Sequence, residues 1–210
     1  MTEFDIASAI RNYVTSNEGV TNFKLALRQI RDEVDTLRIR SLKELEIQNR
    51  YVFSFDQYYQ IIEVSTSYDA IKKITTVSIP LVHFRANGKP AIRYLGGING
   101  GNQHDVVTGK DKAWALHSPY TGHLSKAHYE AGLVTFLGKN APKKVRVEAV
   151  FTKPSACKPF NGYDWKSSEY PVDPMLTDML IGKTAESYIR TYRGTVQPNT
   201  QSDMPVGVRQ

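Results

Sequence analysis

The residues best suited to chemistry fall in the second half of the chain. His104, His117, His123 and His128 lie within 25 residues and, with Asp105, could gather around a metal ion. No two of them have the HxH or HxxxH spacing that turns two imidazoles to one side of a strand or helix, and His123 and His128 are five apart. No metal site is therefore expected. Cys157 is the only cysteine, which excludes an internal disulfide and fits a reducing cytoplasm. A lone cysteine in a loop reads as a bystander rather than a nucleophile. Gly182-Lys183-Thr184 copies the end of a phosphate-binding loop, but the earlier glycine that motif needs would stand at position 177, which is Thr177. The triplet also falls inside a helical pattern, where backbone N–H groups are already used, so Gly182 reads as a close helix contact. Gly96-Gly97-Ile98-Asn99-Gly100-Gly101 is not GxGxxG, has no helix after it, and reads as a flexible loop between strands.

No GxSxG, HExxH or CxxC occurs, and carboxylates are too sparse in the middle of the chain for a glycosidase pair. The expectation is a protein that is not an enzyme, with no catalytic, cofactor-binding or metal residue. An enzyme using the histidine-bearing loops is the reading this displaces. Tyrosine occurs 12 times, with aromatic clusters at Tyr58-Tyr59 and at Tyr163, Trp165 and Tyr170. Such rings could stack on bases, but they serve core packing and protein interfaces more often.

Charge is unevenly placed. The net charge is +6, and residues 81–147 carry ten Lys and Arg against three Asp and Glu, a local excess of +7 that leaves −1 for the rest. That region could face DNA phosphates or an acidic protein rim, or could simply be a solvated surface. A nucleic-acid-binding module using residues 81–147 is the alternative function; no recognition-helix pattern occurs there, so contact would be with phosphates and not base edges. The opening MTEFDIASAI lacks the basic start and apolar run of a signal peptide, and no stretch approaches the ~20 apolar residues of a membrane span.

These residues must be positioned by an α+β fold. Thr2 and Asp5 predict a capped helix over 3–16, with Phe4, Ala7, Ile10 and Val14 on one face, ending near Asn17–Gly19. Phe23, Leu27, Ile30, Val34 and Leu37 form an apolar stripe that opens a long helix over 22–50, continued by Leu42, Leu45 and Ile47. Its opposite face, with Arg28, Arg31, Asp32, Asp35, Arg38 and Lys43, reads as wet or subunit-facing. Strand-like segments follow at 51–64, 74–82, 91–95, 113–116, 133–137 and 145–152, with a long polar loop at 96–112. Asp173-Pro174 is a strong helix start, and Leu176, Met179, Leu180, Tyr188, Ile189 and Tyr192 mark the buried face of a helix over 174–193 with Gly194 as its C-cap. The expected organisation is a helical unit from 1–50 and 173–193, a large irregular or barrel-like β insertion at 51–172, and an extended C-terminal arm at 194–210 too polar to build a core of its own.

This order of parts, with Tyr170-Pro171-Val172-Asp173-Pro174-Met175-Leu176 opening the closing helix and Pro198, Asn199, Asp203 and Pro205 in a polar tail, resembles the head-to-tail connector, or neck ring, proteins of crAss-like and related tailed phages of Bacteroidota. The resemblance spans most of the chain as architecture and is specific over about residues 170–205. It implies a structural virion subunit assembled in the bacterial cytoplasm, forming a homo-oligomeric ring, twelvefold to match a portal. Its implied partners are the portal, other neck or tail proteins and, non-specifically, genomic DNA in the lumen; no membrane or cofactor is implied.

Overall fold

The structure, a computed structural model, describes residues 1–18, 26–48, 54–109, 125–137 and 141–196. Helix α1 (Glu3–Glu18) starts where the sequence says it should: the Asp5 N–H donates to Thr2 Oγ1 at 3.1 Å and the Thr2 N–H donates to Asp5 Oδ2 at 3.0 Å, a reciprocal capping box. Ile6, Ala7, Ile10 and Val14 are its buried face; Phe4, expected on that face, is turned outward and meets Trp165 edge-on. Helix α2 (Leu27–Gln48) is about 33 Å long at ~1.5 Å per residue. Residues 22–25, expected to begin it and including Phe23, lie outside the described residues, as do 49 and 50 at its expected end.

Among the described residues the β unit holds eight strands: β1 (Gln60–Ser65), β2 (Ser67–Asp69), β3 (Ile74–Ser78), β4 (Ile92–Gly97), β5 (Asp105–Val107), β6 (Lys126–Glu130), β7 (Leu133–Leu137) and β8 (Lys144–Ala149). They form two sheets that do not close into a barrel: β1-β8-β4, antiparallel throughout, and β2-β3-β7-β6-β5, in which only β5 and β6 run parallel. Strand β8 alternates as a half-buried strand should, with Val145, Val147 and Ala149 inward. Residues 56–58, expected as strand, form a 3-10 turn instead. The loop expected at 96–112 is interrupted by β5, and the segment 113–116 lies outside the described residues. Ala131 and Gly132, both at positive φ, make the two-residue turn from β6 to β7. A side chain at Gly132 would also sit 2.9 Å from the Ile79 carbonyl oxygen.

A short helix α3 (Lys158–Asn161) leads to the last helix, α4 (Pro174–Val196). The Leu176 N–H donates to Asp173 Oδ1 at 2.5 Å, so Asp173 is the N-cap. Gly194 is not a C-cap, because the helix runs through it to Val196, and the rest of the expected arm, 197–210, lies outside the described residues. Gly182 is not a close contact either: it faces open space. The three long helices share one apolar core through Ile6, Ile10, Ile30, Leu42, Leu176 and Leu180; a second core joins the inner faces of the two sheets through Ile62, Leu95, Val134, Val147 and Phe151. No described helix is long and apolar enough to cross a membrane.

Candidate functional site

The chemistry-bearing side chains gather along a seam between the helices and the β unit. Every fourth residue of α2 from Ile30 is buried: Ile30, Val34, Arg38, Leu42 and Glu46. Two charges therefore occupy an otherwise apolar row, and both are met by the β unit. Arg38 is fully buried; its guanidinium donates to the Phe151 carbonyl, to the Thr152 carbonyl at 3.4 Å and to the Pro171 carbonyl at 3.5 Å, and lies over the Tyr170 ring at 5.5 Å. Glu46 accepts from Arg85 Nε at 2.9 Å and from the Ala86 N–H at 2.6 Å, clamping the tight turn in which the Gly88 N–H donates to the Arg85 carbonyl at 2.9 Å. The face expected to be wet is thus split: Arg28, Asp32 and Lys43 are exposed, while Asp35 and Arg38 are buried. A charge on the i+4 row of an apolar stripe is the sequence signal that would have identified Arg38 and Glu46; Asp35 lies off that row.

Beside Arg38 the same seam holds Glu3, Arg31, Asp35, Tyr163 and Tyr170. The Tyr170 hydroxyl donates to Asp35 Oδ1 at 2.6 Å, and the Tyr163 hydroxyl donates to Glu3 Oε2 at 3.3 Å. Arg31 Nε donates to Glu3 Oε1 at 2.6 Å, and its guanidinium lies over the Trp165 ring at 4.2 Å. The aromatic loop that suggested base stacking is therefore spent as a cover over buried ions. Burial holds the Asp35 carboxyl up at about 6 against the pull of Arg38 and of its bond to Tyr170. Burial likewise raises the Tyr163 and Tyr170 phenols, and His83, buried and facing the Arg38 charge, is pushed down to about 4. Most of its donors and acceptors are turned on one another or on backbone carbonyls, so the cluster locks elements together, while the buried Arg38 Nε has no hydrogen-bond partner.

The remaining candidates are dispersed. Cys157 is buried against Gln60, and burial pushes its thiol up to about 12, which removes the thiolate a nucleophile needs. His128 lies on β6 and His104 immediately precedes its neighbour β5; the His104 ring packs edge-on against Phe136 at 4.9 Å. His117 and His123 lie outside the described residues, and among the described residues no group of three metal-ligating side chains occurs. Gly182-Lys183-Thr184 lies mid-helix in α4, with Lys183 directed to Glu44 at 3.7 Å. Gly96 and Gly97 belong to β4 rather than a loop, and a side chain at Gly96 would meet Tyr94 Oη at 2.7 Å.

The basic middle region is less available than its charge suggests. Arg93 pairs with Asp56 and Glu148, Arg146 with Glu148, and Arg85 with Glu46. Three of its arginines are held by carboxylates of this chain. A cleft of about 580 Å³ opens between the start of α4 and the approach to β1, lined by Tyr59, Gln60, Val172 and Pro174 and edged by Glu169 and Asp178. Nearby, the Tyr58 hydroxyl donates to Asp173, the N-cap of α4. No known protein-family model matches the chain, and comparison with curated proteins finds no match.

Proposed function

We propose that the protein is a structural subunit of a tailed-phage virion, forming a homo-oligomeric ring in the neck or tail that joins the portal to the tail around the DNA passage. The reading rests on the resemblance of its order of parts and of residues 170–205 to connector proteins. The observation that best supports it is the contrast between its two kinds of side chain. The ionisable groups of the seam are closed on one another, whereas large apolar side chains stand in solvent at separated places: Tyr68 and Ile71 on the β2–β3 hairpin are 63% and 95% exposed, and Met175 at the start of α4 is 81% exposed. Two unlike apolar features on one chain suit a head-to-tail contact, which closes into a ring when the rotation between copies closes.

The direct test is mass measurement of the purified full chain over a range of concentrations, with negative-stain imaging. Discrete rings support the reading; a monomer at every concentration overturns it. The pairing of Arg85, Arg93 and Arg146 with carboxylates weighs against a nucleic-acid module. Such a module would bind as a monomer with a steep salt dependence.

A further inference from the structure

Two separate features of the surface complement each other on one chain. The first is the tip of the β2–β3 hairpin, residues 70–73. Asp69 Oδ1 accepts from both the Ile71 and the Lys72 N–H at 3.0 Å, and Lys73 turns the chain at a φ of 54°. The tip is therefore a formed knob, and it presents one apolar side chain, Ile71, flanked by Lys72 and Lys73. Neither lysine is in an ion pair among the described residues. The second is the cleft of about 580 Å³, whose walls are apolar at Tyr59, Val172 and Pro174 and whose rim carries Glu169 and Asp178. Both carboxylates are exposed, and neither is in an ion pair among the described residues. That volume falls within the roughly 300–1,000 Å³ of pockets that enclose a drug-sized molecule, so it has room for a short apolar tip.

We infer that the Ile71 knob of one copy seats in the Glu169/Asp178 cleft of the next, with Lys72 and Lys73 against the two carboxylates. The occupant is a second copy because one chain carries both halves of the match and does not join them itself: Ile71 stands in solvent and lines no part of the cleft. Gln60, at the cleft, begins β1, and β1 runs through Thr66 into β2 and the tip. The tip lies eleven residues beyond Gln60, so knob and cleft are at most about 36 Å apart at ~3.3 Å per residue. Apart from its N–H bond to Asp69, Ile71 is almost wholly exposed. A patch that fits a different patch gives a heterologous contact, the kind a ring requires. The inference rests on the ring reading and adds its contact surface.

Charge reversal with rescue in the full chain tests it, read by mass measurement across a dilution series. Lys72→Glu/Lys73→Glu, and separately Glu169→Lys/Asp178→Lys, should each raise the concentration needed for assembly about tenfold or more, the consequence of setting like charges against each other. The four changes in one chain should restore assembly to near the original concentration. Ile71→Asp should weaken assembly while leaving thermal unfolding unchanged, since the side chain is already in solvent. An Ile71→Cys/Asp178→Cys chain should give a ladder of oxidised oligomers that neither single variant gives. Rings that form regardless of the tip variants overturn this contact and leave the ring reading standing. Loss of assembly in the cleft variants alone points to another occupant and also overturns it. An original chain that never assembles overturns both.

Discussion

Arg38 joins three parts of the chain that are distant in sequence: α2, the carbonyls just after β8, and the aromatic loop before α4. Removing one member of a buried charged network leaves the others without compensation, which typically costs ~3–5 kcal/mol. Arg38→Met keeps much of the volume, so it should lower stability by ~3 kcal/mol, a fall in Tm of about 6–12 °C for a domain of this size. Urea unfolding checks it, and a loss below about 1 kcal/mol would mean the carbonyls are satisfied without the guanidinium. Two neighbours of Arg38 give the seam a pH signature. Asp35 is raised to about 6, so its protonated form stabilises the fold below the ordinary carboxylate range, and that contribution is lost as pH rises through about 6. His83 is lowered to about 4, so its neutral form contributes above the ordinary imidazole value and that contribution is lost as pH falls toward 4. Each shift is worth ~3 kcal/mol at most, and the two oppose each other between pH 4 and 6.5. Asp35→Asn should therefore unmask a rise in stability from pH 4 to 6.5 that the original chain shows only weakly; equal slopes in both proteins would refute the assignment. Little of this was legible in the sequence. Asp35 and Arg38 were read as a wet face because charge usually marks solvent, and the carbonyls that receive Arg38 lie more than a hundred positions away.

The helices carried the clearest local signals, and their starts were readable because caps are short-range chemistry. Asp173 caps α4 and also accepts from Tyr58, so Asp173→Ala removes a cap and a buried partner together. A loss of ~2 kcal/mol is expected, against ~1 kcal/mol for an exposed cap such as Thr2→Ala; thermal melts of the two variants check the ratio. The strands were less legible. The segment Lys126-Ala127-His128-Tyr129 lies buried on an interior strand of its sheet, between β7 and β5, although two of its four residues are polar, so neither alternation nor an apolar run marked β6. Strand β5 is three residues long and pairs in parallel with a strand about twenty positions later, and no local pattern encodes such a partner. The error at Phe4 has a similar origin: the helix period was right, but Trp165 offered that ring a packing surface outside the core.

At the scale of the molecule, helices at both ends with two sheets between them were legible as α+β, because each apolar period extends over many residues. The end of the chain was readable only by composition. Residues 197–210 contain few apolar groups, and ordering them would cost about 1–2 kcal/mol per residue. Truncation after Val196 should leave the melting temperature within about 1 °C of the original. If the segment serves as an arm between subunits, the same truncation should weaken ring formation in the dilution series; unchanged assembly would remove that role.

The packing of α1 against both α2 and α4 also bears on how the chain is made. Residues 19–173 separate α1 from α4, so at ~5–20 residues per second the ribosome takes roughly 8–30 s to deliver the partner that completes the helical core. Throughout that interval the apolar faces of the first two helices are nascent and incompletely covered, while the sheets can already collapse on their own core. Contacts of such long sequence separation form slowly even after release. Nascent chains arrested before residue 174 should therefore be the species that chaperones hold and that aggregate.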